Sequence, residues 1–274
     1  MRNGQANDYP FLASIQSVLP LVDEMIIALG PSEDATLELL QSLSSPKIRV
    51  IKTVWNDNMR DQGFLYGQQK MIAQYNCTGD WAFYLEADEV LHETEIPVIR
   101  KAMQKYVDDP AVEALVLDYL HFFGSPGRIL QSHRWYPREV RIIKTSVRTI
   151  CPDNLWWEVL EADGTTRFPK AALAGAHVYH YGWLRQTNHK PHKHPTVRKP
   201  KSSKPSADAV DPDLLHDFPG LHPEPVLLWL HGKVERVYQL LPEPIIIKQR
   251  GTLKSRMQEL LSALTTPEHF TLVK

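Results

Sequence analysis

Glu86, Asp88 and Glu89 follow directly on the apolar run Trp81–Leu85. A strand this apolar is normally buried, and carboxylates at the end of a buried strand are unfavourable unless something positive meets them. If the strand continues, Glu86 and Asp88 share a face. Two acids on one face suit a hard divalent cation, Mg2+ or Mn2+, held through oxygen ligands. Such a cation usually shares its shell with substrate phosphates. Asp88 is the first candidate ligand and Glu86 the second, which leaves Glu89 to cap the helix that follows. A strand ending in a solvated acidic turn accounts for the same residues, and the local pattern leaves both readings open.

Other residues invite chemistry less sharply. Gly30-Pro-Ser-Glu-Asp-Ala-Thr36 follows an apolar run; Ser32 or Asp34 can cap the next helix, or the turn can touch a nucleotide. Residues 185–204 hold Arg185, Lys190, Lys193, Arg198, Lys199, Lys201 and Lys204 with no acid among them. That stretch reads as a solvated linker or as a lid that orders over an anionic ligand. His189, His192 and His194 have no cysteine partners and no structural-zinc spacing, so zinc is set aside.

The elements that must position these groups alternate. Apolar residues at helical spacing end at Pro20; Met25–Leu29, Ile48–Val54 and Trp81–Leu85 read as strands; Asp34–Leu43 and Asp61–Tyr75 read as helices between them. Strands alternating with helices predict a parallel sheet covered on both faces. Beyond Glu93 the order changes: helix over Glu95–Tyr106, then strands over Val112–Phe123, Glu139–Lys144 and Leu173–Tyr181, so the sheet becomes mixed. Val226–Leu241 and Leu253–Leu264 are helical and must pack on the preceding part. The expected organisation is a catalytic domain over 1–185, a basic loop over 186–206 and a helical segment over 207–274.

The 274 residues carry a net charge of -1, which gives no electrostatic case for nucleic-acid binding. Two cysteines, Cys77 and Cys151, fit a reducing cytosol better than a disulfide scaffold. No apolar run reaches the roughly 18 to 20 residues that span a bilayer. A cytoplasmic protein is expected, one that would meet any membrane-bound substrate peripherally.

Taken in order, several blocks resemble glycosyltransferase family 2 with the GT-A fold, in particular bacterial cell-surface and lipopolysaccharide-core transferases. They are Arg2-Asn3-Gly4, Val22-Asp23-Glu24, Ser32-Glu33-Asp34-Ala35-Thr36, Gly79-Asp80-Trp81 with Ala87-Asp88-Glu89, and His180-Tyr181-Gly182. The resemblance implies transfer of a sugar from a nucleotide-sugar donor to a glycan or lipid-linked glycan, with inversion in one displacement. It implies a metal at Asp88 and Glu86, with His180 completing its shell or touching the diphosphate. Arg2, Asn3, Asp34, Lys70, Arg185 and Lys190 are the implied donor contacts. A carboxylate base is implied near Trp156-Trp157-Glu158: Glu158 first, Asp153 as competitor. Trp156 and Trp157 would stack on the acceptor, since aromatic rings pack on sugar faces and an apolar wall raises a carboxylate toward a useful base.

The sequence departs from the pattern in four places. The fold's first strand should precede Arg2, where this chain begins. Leu29 stands where many relatives have an aspartate, Lys70 where others have arginine, and Glu86 where aspartate is usual. The first two departures motivate a second hypothesis, a non-catalytic relative that binds a glycan or a protein. A nucleotidyltransferase ranks last, because no glycine-rich basic phosphate loop is present near the N-terminus.

Overall fold

A computed structural model of the chain describes residues 1–59, 63–131, 135–153, 155–184, 212–231 and 268–273. The described elements are α1 (Phe11–Val18), β1 (Met25–Leu29), α2 (Thr36–Ser42), β2 (Ile48–Lys52), α3 (Phe64–Gln74), β3 (Trp81–Phe83), β4 (Glu89–Val90), α4 (Ile96–Tyr106) and β5 (Ala114–Phe123). There follow β6 (Arg128–Leu130), β7 (Arg138–Lys144), β8 (Thr149–Ile150), β9 (Glu158–Leu160), β10 (Thr166–Arg167), β11 (Lys170–Trp183), β12 (Leu215–Asp217) and β13 (Thr271–Leu272).

The helices follow their apolar spacing. In α1, Phe11, Ile15 and Val18 are buried, one stripe of a 3.6-residue period. In α4, Ile96, Ile99 and Ala102 are buried and a proline occupies the first turn, where no N–H is needed. Long β5 is buried on almost every residue, as a central strand should be. It runs parallel to β11 and antiparallel to β6 and β7. Burial of Leu115, Leu117, Ile142, Ala176 and Val178 beneath α4 forms the main core.

The pairing corrects the expectation of one parallel sheet through the first half. β1 and β2 form a separate parallel pair. β3 joins the eight-stranded mixed sheet instead, antiparallel to β7. Strand spacing alone cannot show this, because the partner of β3 lies some sixty residues downstream. On the second edge of β1, Met1 donates its N-terminal N–H to Ala28 O at 2.6 Å and accepts from Gly30 N at 2.8 Å. That is a parallel ladder one residue deep. Burial pushes the Met1 ammonium down to about 6.

The mixed α/β architecture is of the GT-A type. The expected C-terminal helices lie mostly outside the described residues. Their described beginning, near Val226 and Leu230, packs on Ala13, Val90 and Tyr181. No described helix is long and apolar enough to cross a membrane.

Candidate functional site

Strand β3 stops at Phe83, so Glu86 and Asp88 do not share the face of a continuing strand. They sit on a turn in which Glu86 N donates to Glu89 Oε2 at 2.9 Å and Glu89 N donates to Glu86 O at 3.1 Å. Glu89 does not cap a helix; it is fully buried in β4. Arg141 of β7 meets its Oε1 at 2.7 Å and reaches Glu86 Oε1 at 3.5 Å. Tyr119 donates its hydroxyl to the same Glu89 oxygen at 2.7 Å. Burial raises the Glu89 carboxyl to about 7 against the opposing pull of Arg141. The positive group that answers these acids is therefore partly the protein's own Arg141.

Asp88 is directed elsewhere. Its backbone carbonyl accepts from Tyr181 N at 2.8 Å, which pins the turn to β11. Its Oδ2 faces Nε2 of His180 at 3.8 Å. Gly182 follows on the same strand, and a Cβ there would lie 2.6 Å from Asp88 Oδ2 and 2.8 Å from His180 Nε2. Only a glycine leaves that space. One carboxylate and one imidazole nitrogen suit a borderline-hard cation such as Mn2+. Among the described residues no group of three or more His, Cys, Asp or Glu gathers as a metal site. A cation here would take its remaining ligands from a bound diphosphate or water, as catalytic Mg2+ and Mn2+ sites usually do.

Asp88, His180 and Gly182 line a cavity of about 1040 Å3 between β1 and β3. Its walls also include Arg2, Trp55, Gln69, Lys70 and Tyr84. Among the described residues, several buried polar atoms on these walls have no hydrogen-bond partner: both amide atoms of Gln69, Trp55 Nε1 and Arg2 Nε. Buried polar groups are normally satisfied, so such a cluster marks a place for a polar ligand. Gly30 is required beside it, since a Cβ would come within 2.3 Å of Trp55 Nε1.

Lys70 lies in the wall, only 2% exposed. Its Nζ donates to Leu155 O at 3.2 Å and lies 3.5 Å from the Trp157 ring centre. Burial lowers this ammonium to about 8. Arg2 sits 5.7 Å over the Trp55 ring and pairs with Asp57 at 3.3 Å.

Other expected contacts have structural duties. Asn3 bridges two loops: its N donates to Ser32 Oγ at 3.0 Å, and its Oδ1 accepts from Glu33 N at 2.8 Å. Asp34 accepts from Ala6 N at 2.7 Å and Thr36 N at 3.1 Å, and lies outside the cavity lining. Hydrogen bonds hold its carboxyl below the usual carboxylate range despite partial burial. Together they clamp Arg2-Asn3-Gly4 onto Ser32–Thr36. Glu24, from another quoted block, accepts from Thr78 N and Thr78 Oγ1.

The tryptophan loop differs from expectation. Trp157 is 1% exposed and donates to Gln74 Oε1 at 2.7 Å. Lys70 covers its ring, so it anchors the loop rather than offering a free stacking face. Trp156 stacks on His269 with centroids 4.2 Å apart. Glu158 accepts from Trp156 Nε1 at 3.4 Å and, like Asp153, is not among the cavity residues. Asp153 accepts from Leu155 N at 2.7 Å, and burial raises its carboxyl above the ordinary value. Arg185 and Lys190 lie outside the described residues, as do His189, His192 and His194.

Sequence reasoning missed His121, Tyr119 and Trp55. The first two alternate on β5, and a histidine inside a strand buried on both faces was the available signal.

The family model for glycosyl transferase family 2 matches residues 9–157. With the mixed sheet and the acidic turn in place, this chain belongs to that family. Solved structures to which it is similar include the crystal structures of S. aureus TarS and S. aureus TarS 1-349. Each aligns over 53% of this chain at 14% identity with a TM-score of 0.37. The matches cover 27% and 45% of those chains, so this chain spans less than half of either. Among curated proteins, no sequence matches it.

Proposed function

We propose that this chain is a metal-assisted, inverting glycosyltransferase that moves a sugar from a nucleotide-sugar donor to a hydroxyl of a glycan or lipid-linked glycan. The observation that carries the reading is the facing pair Asp88 and His180, 3.8 Å apart in the wall of a cavity with unpartnered polar atoms. Asp88 and His180 would hold Mn2+ or Mg2+, with Glu86 turned toward Arg141. When bound, the cation supplies Lewis-acid neutralisation of the departing diphosphate. Lys70 adds positive charge to the same anion, as lysine commonly does for phosphate oxygens. Arg185 and Lys190 follow β11 in sequence and are proposed as further diphosphate contacts. Arg2 and Trp55 offer the nucleoside a cation and a ring.

The acceptor hydroxyl attacks the anomeric carbon opposite the diphosphate. The new C–O bond forms as the bond to the diphosphate breaks, and the leaving group takes the electron pair. The hydroxyl proton passes to a carboxylate. Asp153 is favoured for that role, because burial raises its carboxyl; neither it nor Glu158 lines the cavity, and each lies close in sequence to a residue that does, Leu155 and Trp157. Glu158 is the second candidate.

The test is release of nucleotide from UDP-, GDP-, dTDP- and CMP-sugars in the presence of Mn2+ and a glycan acceptor. One nucleotide class should turn over, and Asp88→Ala should not. Turnover retained in Asp88→Ala would remove the metal assignment.

A further inference from the structure

His121 of β5 and His180 of β11 are register partners in adjacent parallel strands, so their side chains leave the same face of the sheet. Their Nδ1 atoms meet at 2.9 Å. The far nitrogen of His121, Nε2, lies 2.9 Å from the carbonyl oxygen of Tyr136. A carbonyl oxygen only accepts, so Nε2 of His121 carries a proton. In a neutral imidazole the other nitrogen is then an acceptor. With His121 neutral, its Nδ1 receives a hydrogen bond, and His180 gives it from its own Nδ1. That leaves the lone pair of neutral His180 on Nε2, the atom that faces Asp88 Oδ2 at 3.8 Å.

His121 is built to hold this direction. It is 3% exposed. Its ring stacks on Tyr119 with centroids 5.1 Å apart and meets Tyr136 edge-on at 5.1 Å. A rigid acceptor behind an imidazole is what orients a metal-binding histidine and raises its basicity. Here the acceptor is a second histidine, itself directed by a backbone carbonyl.

We infer that His121 is a positioning residue that fixes the tautomer of His180, so that Nε2 offers its lone pair beside Asp88 to a divalent cation. The inference rests on the cation site proposed above, but the tautomer is measurable without any metal.

Long-range 1H–15N correlation on metal-free, 15N-histidine-labelled protein reads the tautomer of each ring. The expected result is a proton on Nδ1 of His180 and on Nε2 of His121. Mn2+ affinity of the same protein, measured by electron paramagnetic resonance without donor, gives the second readout. His121→Phe keeps the ring stack and removes the acceptor. It should shift His180 toward the Nε2–H form and weaken Mn2+ by about 10- to 100-fold. His121→Asn places an oxygen near the Nδ1 position and should retain both properties. If His121→Phe does not fold by circular dichroism, His121→Gln serves as the second polar variant. It can reach Tyr136 but presents no acceptor at Nδ1, so it should lose both properties. A wild-type His180 protonated on Nε2 overturns the inference, as does unchanged Mn2+ affinity in His121→Phe or His121→Gln. Wild-type protein with the expected tautomer but no Mn2+ binding overturns the cation site, and with it the purpose assigned to His121.

Discussion

Gly182 stands against Asp88 so closely that one added methyl group would sit 2.6 Å from the carboxylate oxygen. The same methyl would come 2.8 Å from His180 Nε2. The residue two positions after the histidine thus keeps open the space those two groups share.

Gly182→Ala should therefore lower transfer by about 100-fold, the usual effect of displacing a reacting group by an ångström. Mn2+ binding should fall with it while the circular dichroism spectrum stays that of the wild type. Steady-state rates and Mn2+ titration check this, and a fully active Gly182→Ala would show that the space is not used.

Lys70 makes a pH-dependent contribution whose sign follows from its burial. Its folded value, about 8, lies below the ordinary lysine value of 10.5. Between those values the unfolded chain binds the extra proton, so stability rises with pH across that window. Below about 8 the buried charge opposes folding by about 3 kcal/mol on this shift. Lys70→Met should accordingly melt above the wild type at pH 7, with a difference that shrinks toward pH 10. The same variant should bind a nucleoside diphosphate more weakly. Thermal melts across that pH range and calorimetric titration separate the two effects.

Arg141 is completely buried between Glu86, Glu89 and Tyr119. Above the Glu89 value of about 7, where that carboxyl is ionised, Arg141→Met would leave it without its ion-pair partner, a change that typically destabilises by about 3 to 5 kcal/mol. Adding Glu89→Gln should return much of that loss, because the uncompensated charge is then gone. Denaturant unfolding of the two single variants and the double variant measures the coupling. Additive losses would contradict the pairing.

The two candidate bases separate by rate. Asp153→Asn should lower the rate constant of transfer by about 100- to 10,000-fold with donor affinity kept. Glu158→Gln should lower it less, because the Glu158 carboxylate is engaged by the Trp156 indole. The reverse ranking would move the base to Glu158.

Apolar periodicity made α1, α4, β5 and β11 legible, because each buries one stripe or nearly the whole strand. Partnership was not legible. β3 reads like its neighbours in sequence, yet its edge chooses β7, a choice made by tertiary packing. The acidic cluster was recognisable as carboxylates that need a positive partner, but its division of labour was not. Nothing local distinguishes Glu89, which is held by an arginine from another strand, from Asp88, which faces His180. Trp156 and Trp157 look alike in sequence. Only the assembled loop shows one indole anchored by Gln74 and Lys70 and the other laid on His269. Asn3 and Asp34 were visible as polar residues of two loops, but their hydrogen bonds to each other's loops span about thirty residues and leave no periodic trace.

The most direct test of the central claim is calorimetric titration of wild type and Asp88→Ala with UDP, GDP, dTDP and CMP, each with and without Mn2+. The account predicts that one nucleotide binds wild type, that Mn2+ strengthens it, and that Asp88→Ala loses the Mn2+-dependent part. No binding by any nucleotide, or equal Mn2+-dependent binding by Asp88→Ala, would contradict it; the former would favour a family member that binds a glycan or a protein without transferring sugar.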